Sequence, residues 1–147
     1  MFPIGDDNTA RTTTAYVTYL LILLNVLVFV FAQGMGSNEK FTYAFSTVPQ
    51  EIVTGRDVVT ENRMMRDPLT GDAFQVSGLQ PTPLSVYLTL ITSMFMHGGL
   101  AHIFGNMLYL WIFGDNLEHA LGHLRFLLFY LVTGVLASLA HVFATVA

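Results

Sequence analysis

The chain has 147 residues, 53% of them hydrophobic and only 11% charged, with a net charge of −4. A soluble domain carries about 25% charged residues, so a water-soluble globule and a disordered chain are both excluded. Six Lys and Arg against ten Asp and Glu, with no basic cluster, speak against nucleic-acid binding, and the lack of cysteine rules out disulfides and thiolate chemistry.

The charge that exists is segregated: none falls in 12–38, 84–114 or 126–147. About 20 apolar residues cross a bilayer core, and a charge at mid-bilayer costs roughly 2.5–3.5 kcal/mol. These stretches predict three transmembrane helices of an all-α, polytopic membrane bundle. A polar tail (1–14) precedes the first predicted span, 15–32, where Tyr16 and Tyr19 fit an interfacial aromatic belt. A cleaved signal peptide would need a basic n-region and small residues before the cut. Asp6, Asp7 and Arg11, followed by Val30-Phe31-Ala32, supply neither. Asn25, the one strongly polar side chain inside this span, is expected to hydrogen-bond to another helix.

Residues 33–83 form a long loop of mixed charge. Phe41, Tyr43, Phe45 and Val48 predict a part that packs on the protein or dips into the interface. From Arg56 to Asp72 the loop reads as exposed and polar, with turn signals at Asp67-Pro68 and Thr70-Gly71. Residues 84–118 hold an inserted segment plus the second span. The charge-free part alone would run about 46 Å as a straight helix, and Gly98-Gly99 divide it: an apolar segment reaches Met96, and a helix continues from about Gly99 to Glu118. Non-helical backbone at membrane depth is tolerated only where protein or a wet cavity covers it, so His97-Gly98-Gly99 points to a cavity. After a charged turn the third span occupies 126–144, with Gly134 and Ser138 four apart on a face suited to close helix packing. This helix reaches Ala147 without a polar tail, and the natural product is expected to continue.

The chemistry concentrates at the glycine break. His102 and Asn106 are four apart and share a helix face. An imidazole N–H and a carboxamide NH₂ are both donors, and two donors aimed at one point suit a developing oxyanion. His97 stands about one turn earlier, at the glycine break. The plainer alternative is a set of interhelical hydrogen bonds. Ser93 with His97, and Ser138 with His141, could touch along a helix. Neither serine sits on the sharp turn that exposes a nucleophile, and Ser138 is expected to bond its own helix backbone. His119 and His123 have a metal-compatible spacing, with Asp115 and Glu118 nearby, but lack the intervening Glu of a zinc protease. They read as a solvated interfacial turn. A metal or haem protein built on His97, His102 and His141 is a further alternative. No cofactor is expected.

The run HGGLAHIFGNMLYLWIFGDNLE from His97, with Gly122-His123-Leu124-Arg125-Phe126, resembles bacterial rhomboid intramembrane serine proteases, densely over 92–129. The resemblance implies that the chain is the N-terminal half of a six-helix bundle. His102 and Asn106 would be oxyanion-stabilising, with His97 in a supporting role near the active-site water pocket. The loop 33–83 would lie partly in the outer leaflet and the N-terminus in the cytoplasm, in a multi-pass protein of the bacterial inner membrane. The implied partners are transmembrane protein substrates, the lipid bilayer and the remaining C-terminal helices of the same protein. The family's nucleophile lies in a Gly-x-Ser-Gly motif on a later helix and its base His on another. These residues hold neither, so the chain alone is expected to be proteolytically inactive. The sole Trp, Trp111, lies in a helix, so a Trp-Arg pair seen in the loop of some members is absent. The alternative is a catalytically inactive rhomboid-like protein that binds transmembrane helices.

Overall fold

The computed structural model describes residues 14–146; the rest of the predicted tail 1–14 lies outside the described residues. The chain is mostly helical. Helix α1 is Tyr16–Ala32, whose apolar Leu, Val and Ile run stays helical through a wider last turn, Val28–Ala32. Two short loop helices follow. Helix α2, Glu39–Phe45, is capped by Asn38, whose side chain accepts the Phe41 N–H. Helix α3, Pro49–Thr54, starts on proline and ends at the left-handed Gly55. A β-hairpin comes next: β1, Arg63–Arg66, pairs antiparallel with β2, Ala73–Val76, with Arg63 opposite Val76 and Arg66 opposite Ala73. Helices α4, Val86–Phe95, and α5, Leu100–Leu121, meet at a bend of 81°. Helix α6, His123–Val146, completes the order.

Among the described residues, α6 alone is by itself long and apolar enough to cross a membrane; α4 and α5 pass that test together across their bend, and α1 is a shorter apolar helix. Apolar side chains of α6 such as Leu124, Leu128, Val132, Leu136 and Phe143 are exposed, as expected of a helix facing lipid rather than water.

Two contacts fix the direction of packing. Thr18, near the start of α1, meets Glu118 near the end of α5, while Gln33, just past α1, meets His97 at the bend before α5. Helices α1 and α5 are therefore antiparallel. The Tyr16 ring lies 5.9 Å from that of His123 at the start of α6, so α6 runs alongside α1 in the same direction. Among the described residues, buried apolar groups such as Leu21, Phe29, Ile103, Phe126 and Val142 share the interior with buried Thr18, Asn25, Gln33, Glu51, Thr89, His97 and Glu118. Polar staples of this kind hold helices where lipid supplies no hydrophobic drive.

Several local expectations change. Asn25 donates to Leu21 of its own helix at 2.8 Å, because the carbonyl one turn back is always within reach, although the Tyr130 hydroxyl of α6 also interacts with it. The expected charged turn is helical through Leu121, and the chain reverses at Gly122, which adopts φ 80°. The Gly134 and Ser138 face packs on α4. A Cβ at Gly134 would strike the Met94 side chain, and Ser138 Oγ donates to Leu90 O at 3.4 Å rather than to its own helix.

The polar stretch of the first loop contains the hairpin. Its tip is an Asx turn in which Asp67 Oδ1 accepts the Leu69 N–H at 2.8 Å, with Gly71 at φ 77°. At its base Gly78 N–H donates to Asn62 Oδ1 at 2.9 Å, and a Cβ at Gly78 would fall 1.9 Å from the Thr60 carbonyl oxygen. Gly78→Ala is therefore expected to open the hairpin base, at a cost of about 1–3 kcal/mol, with no direct effect on helices α1, α4, α5 and α6. Limited proteolysis should cut 60–79 faster in the variant. An unchanged cleavage rate would show that the backbone contact does not hold the base closed.

Candidate functional site

The bend between α4 and α5 needs partners for backbone that has left the helix. Gln33 supplies them. Its Oε1 accepts the His97 N–H at 2.9 Å, and its Nε2 donates to the His97 carbonyl at 3.0 Å and to Thr42 Oγ1 at 3.0 Å. Gln33 is fully buried, so one side-chain amide pairs the bend as a neighbouring strand would and ties it to α1 and α2. The loop is fastened to α4 as well: Thr47 Oγ1 donates to Thr89 O and contacts Ser93 Oγ, both at 2.9 Å, and Thr92 Oγ1 donates to Phe45 O at 2.7 Å.

His97 is buried at the bend. Its Nδ1 lies 3.3 Å from Phe95 O, which places the proton on Nδ1. The Phe29 ring packs edge-on against the imidazole at 6.4 Å, and the His102 ring meets it at 5.3 Å in a T-shaped arrangement. His102, one turn into α5, is exposed and accepts the Gly98 N–H on Nδ1 at 3.3 Å. An imidazole that accepts on Nδ1 carries its proton on Nε2, so His102 presents an outward N–H donor. Asn106 lies one turn further on the same face, also exposed, and among the described residues its side chain has no hydrogen-bond partner.

An open cleft of about 650 Å³ lies at the bend, lined by Thr42, Thr47, Ser93, His97, His102, Ser138 and His141. The structure thus brings His97 and His102 to one cleft, with Asn106 on the same helix face but outside its lining. Ser93 and Ser138 also line it, yet neither hydroxyl bonds to a histidine; their partners are Thr47 and Leu90. Among the described residues no three His, Asp or Glu side chains are grouped to hold a metal ion, so His97, His102 and His141 do not form a ligand set as folded.

At the opposite end of α1, Glu118 is buried rather than part of a solvated turn. Its Oε1 accepts the Val17 N–H at 2.9 Å, and its Oε2 accepts both the Thr18 N–H and the Thr18 hydroxyl at 2.7 Å. His123 Nδ1 lies 2.5 Å from Oε1. This carboxylate caps the start of α1 from another helix, where the helix dipole favours negative charge.

Gln33 and Glu118 were not legible as structural keys in the sequence. Gln33 ends an apolar run, and its partner lies 64 residues away. A lone amide beside a glycine turn is the only local signal.

No curated protein and no solved structure matches the chain. The family model described as the Rhomboid domain matches residues 85–147, which contain α4, the bend, α5 and α6 with His97, His102 and Asn106. Over that segment the chain is similar to the Rhomboid domain.

Proposed function

We propose that this chain supplies the oxyanion-stabilising half of a serine-type intramembrane endopeptidase that cleaves transmembrane segments of other membrane proteins. Helix α1, the bent pair α4–α5, and α6 are the first three spans of a six-helix, multi-pass protein of the bacterial inner membrane. The first loop, 33–83, lies partly in the outer leaflet. The observation that carries this reading is the 3.3 Å contact from the Gly98 N–H to His102 Nδ1, which leaves Nε2 to carry the ring proton at an open cleft, one turn from the carboxamide of Asn106.

In such a site a serine hydroxyl attacks the peptide carbonyl and a histidine takes its proton, both from later helices of the same protein. The tetrahedral oxyanion then accepts from His102 Nε2–H and Asn106 Nδ2–H. His97, held by Gln33, fixes the bend and its ring packs against His102. The polar cleft, lined by Thr42, Thr47 and Ser93, gives water a route to an otherwise apolar site.

The test is cleavage of a transmembrane reporter in liposomes by the protein expressed in its full reading frame, with fluorophosphonate labelling alongside. Reporter cleavage, with label on a serine other than Ser93 or Ser138, is the expected result. An uncut reporter and no labelled serine would overturn the peptidase reading. A reporter that co-purifies uncut would favour an inactive binder of transmembrane helices.

A further inference from the structure

The first loop contains a second polar cluster, separate from the bend. Glu51 in α3 is only 1% exposed. Its Oε1 accepts the Val58 N–H at 3.0 Å, but its Oε2 is buried without a hydrogen-bond partner. The hydroxyl of Thr82 is likewise buried and unpartnered. Asp57 joins them: its Oδ1 accepts the Thr82 N–H at 3.1 Å, and its carboxylate faces that of Glu51. The Thr82 hydroxyl favours the charged Glu51 carboxylate and the Asp57 carboxylate opposes it, but neither contact reaches hydrogen-bond geometry at Glu51 Oε2 or Thr82 Oγ1. Among the described residues no Lys or Arg is paired with either acid.

Buried oxygens without partners are costly, and each calls for a water, proton or ion to complete it. We propose that Glu51, Asp57 and Thr82 form a binding site for a calcium-class divalent cation in the first loop. A doubly charged cation balances the two carboxylates and fills the coordination left open at Glu51 Oε2 and Thr82 Oγ1. The exposed side of Asp57 admits the ion and its remaining waters. The ligands are all oxygen, as hard cations require, and an irregular loop suits calcium better than the rigid octahedron of magnesium. With few protein ligands the affinity falls among weak extracellular-type sites, with Kd about 10⁻⁴–10⁻³ M. Burial, and then the Asp57 charge, hold the Glu51 carboxyl above the usual carboxylate range, consistent with a pair of acids awaiting a positive partner. The ion would tie α3 to the segment entering α4, beside Tyr87, whose hydroxyl crowds Gly55.

The experiment is thermal melting of the purified protein in detergent micelles at neutral pH, with calcium or magnesium against a chelator. Terbium luminescence serves as a direct binding readout. Calcium at about ten times Kd should raise Tm by about 3–5 °C, with a smaller effect of magnesium. Terbium should bind and be displaced by calcium. Asp57→Asn, an exposed change that leaves the fold intact, and Glu51→Gln should each abolish the calcium shift and the terbium signal. No calcium shift, or an equal shift in both variants, would overturn the proposal. So would stabilisation by acidification alone, because a shared proton would then complete the pair.

Discussion

Asn106→Ala, in the protein expressed in its full reading frame, is expected to lower kcat by about 10²–10³-fold, the usual cost of removing one oxyanion donor. KM should change little, because the lost interaction forms only as the carbonyl becomes tetrahedral. The structure makes this variant clean. Asn106 is exposed and its side chain has no hydrogen-bond partner among the described residues, so its loss should move stability by no more than about 0.5 kcal/mol. His102→Ala should match it in kcat, but it also deprives the Gly98 N–H of its acceptor and carries a structural cost. Paired measurements of kcat and melting temperature separate the two. An unchanged kcat for Asn106→Ala would remove that residue from the oxyanion role.

The largest expected loss of stability is at Glu118. Glu118→Ala strips the Val17 N–H, the Thr18 N–H and hydroxyl, and the His123 ring of their shared acceptor. Breaking a buried charged network from one side costs about 3–5 kcal/mol, because the orphaned donors cannot be rehydrated where they are. Glu118→Gln keeps one acceptor oxygen and should lose roughly half as much, since hydrogen bonds to a charged acceptor are about twice as strong as neutral ones. Denaturant unfolding in micelles would measure both. A change below about 1 kcal/mol for Glu118→Ala would mean that α1 is held without this cap.

The helices were legible because charge cannot enter a bilayer cheaply. Segregated charge marks the apolar segments 15–32 and 126–144, and the glycine pair marks the bend. That His102 and Asn106 share one face of α5 was legible too, because residues four apart on a helix lie one above the other. The loop was less so. Strands Arg63–Arg66 and Ala73–Val76 are exposed and carry no clean alternation, so only their tip, with its Asp-Pro and Thr-Gly signals, could be read. Polar side chains misled when the nearest partner was ambiguous. Asn25 bonds its own helix as well as meeting Tyr130 of α6, and Ser138 turned to another helix rather than its own. Gln33 and Glu118 were hidden for a different reason. Each matters through partners 64 or 100 residues distant, and no local pattern encodes such a pairing.

The reach of that second pairing has a consequence for how the protein is made. Val17 and Thr18 leave the ribosome first, whereas the carboxylate that binds their amides is 100 residues behind. At about 5–20 residues per second, the first helix waits on the order of 5–20 s with its opening turn unpaired. During that interval other donors and acceptors, water first among them, must serve those amides. Glu118 and His123 arrive together, at the end of one helix and the start of the next. The cap therefore closes only as α6 begins to form, and segments 100 residues apart lock in a single step.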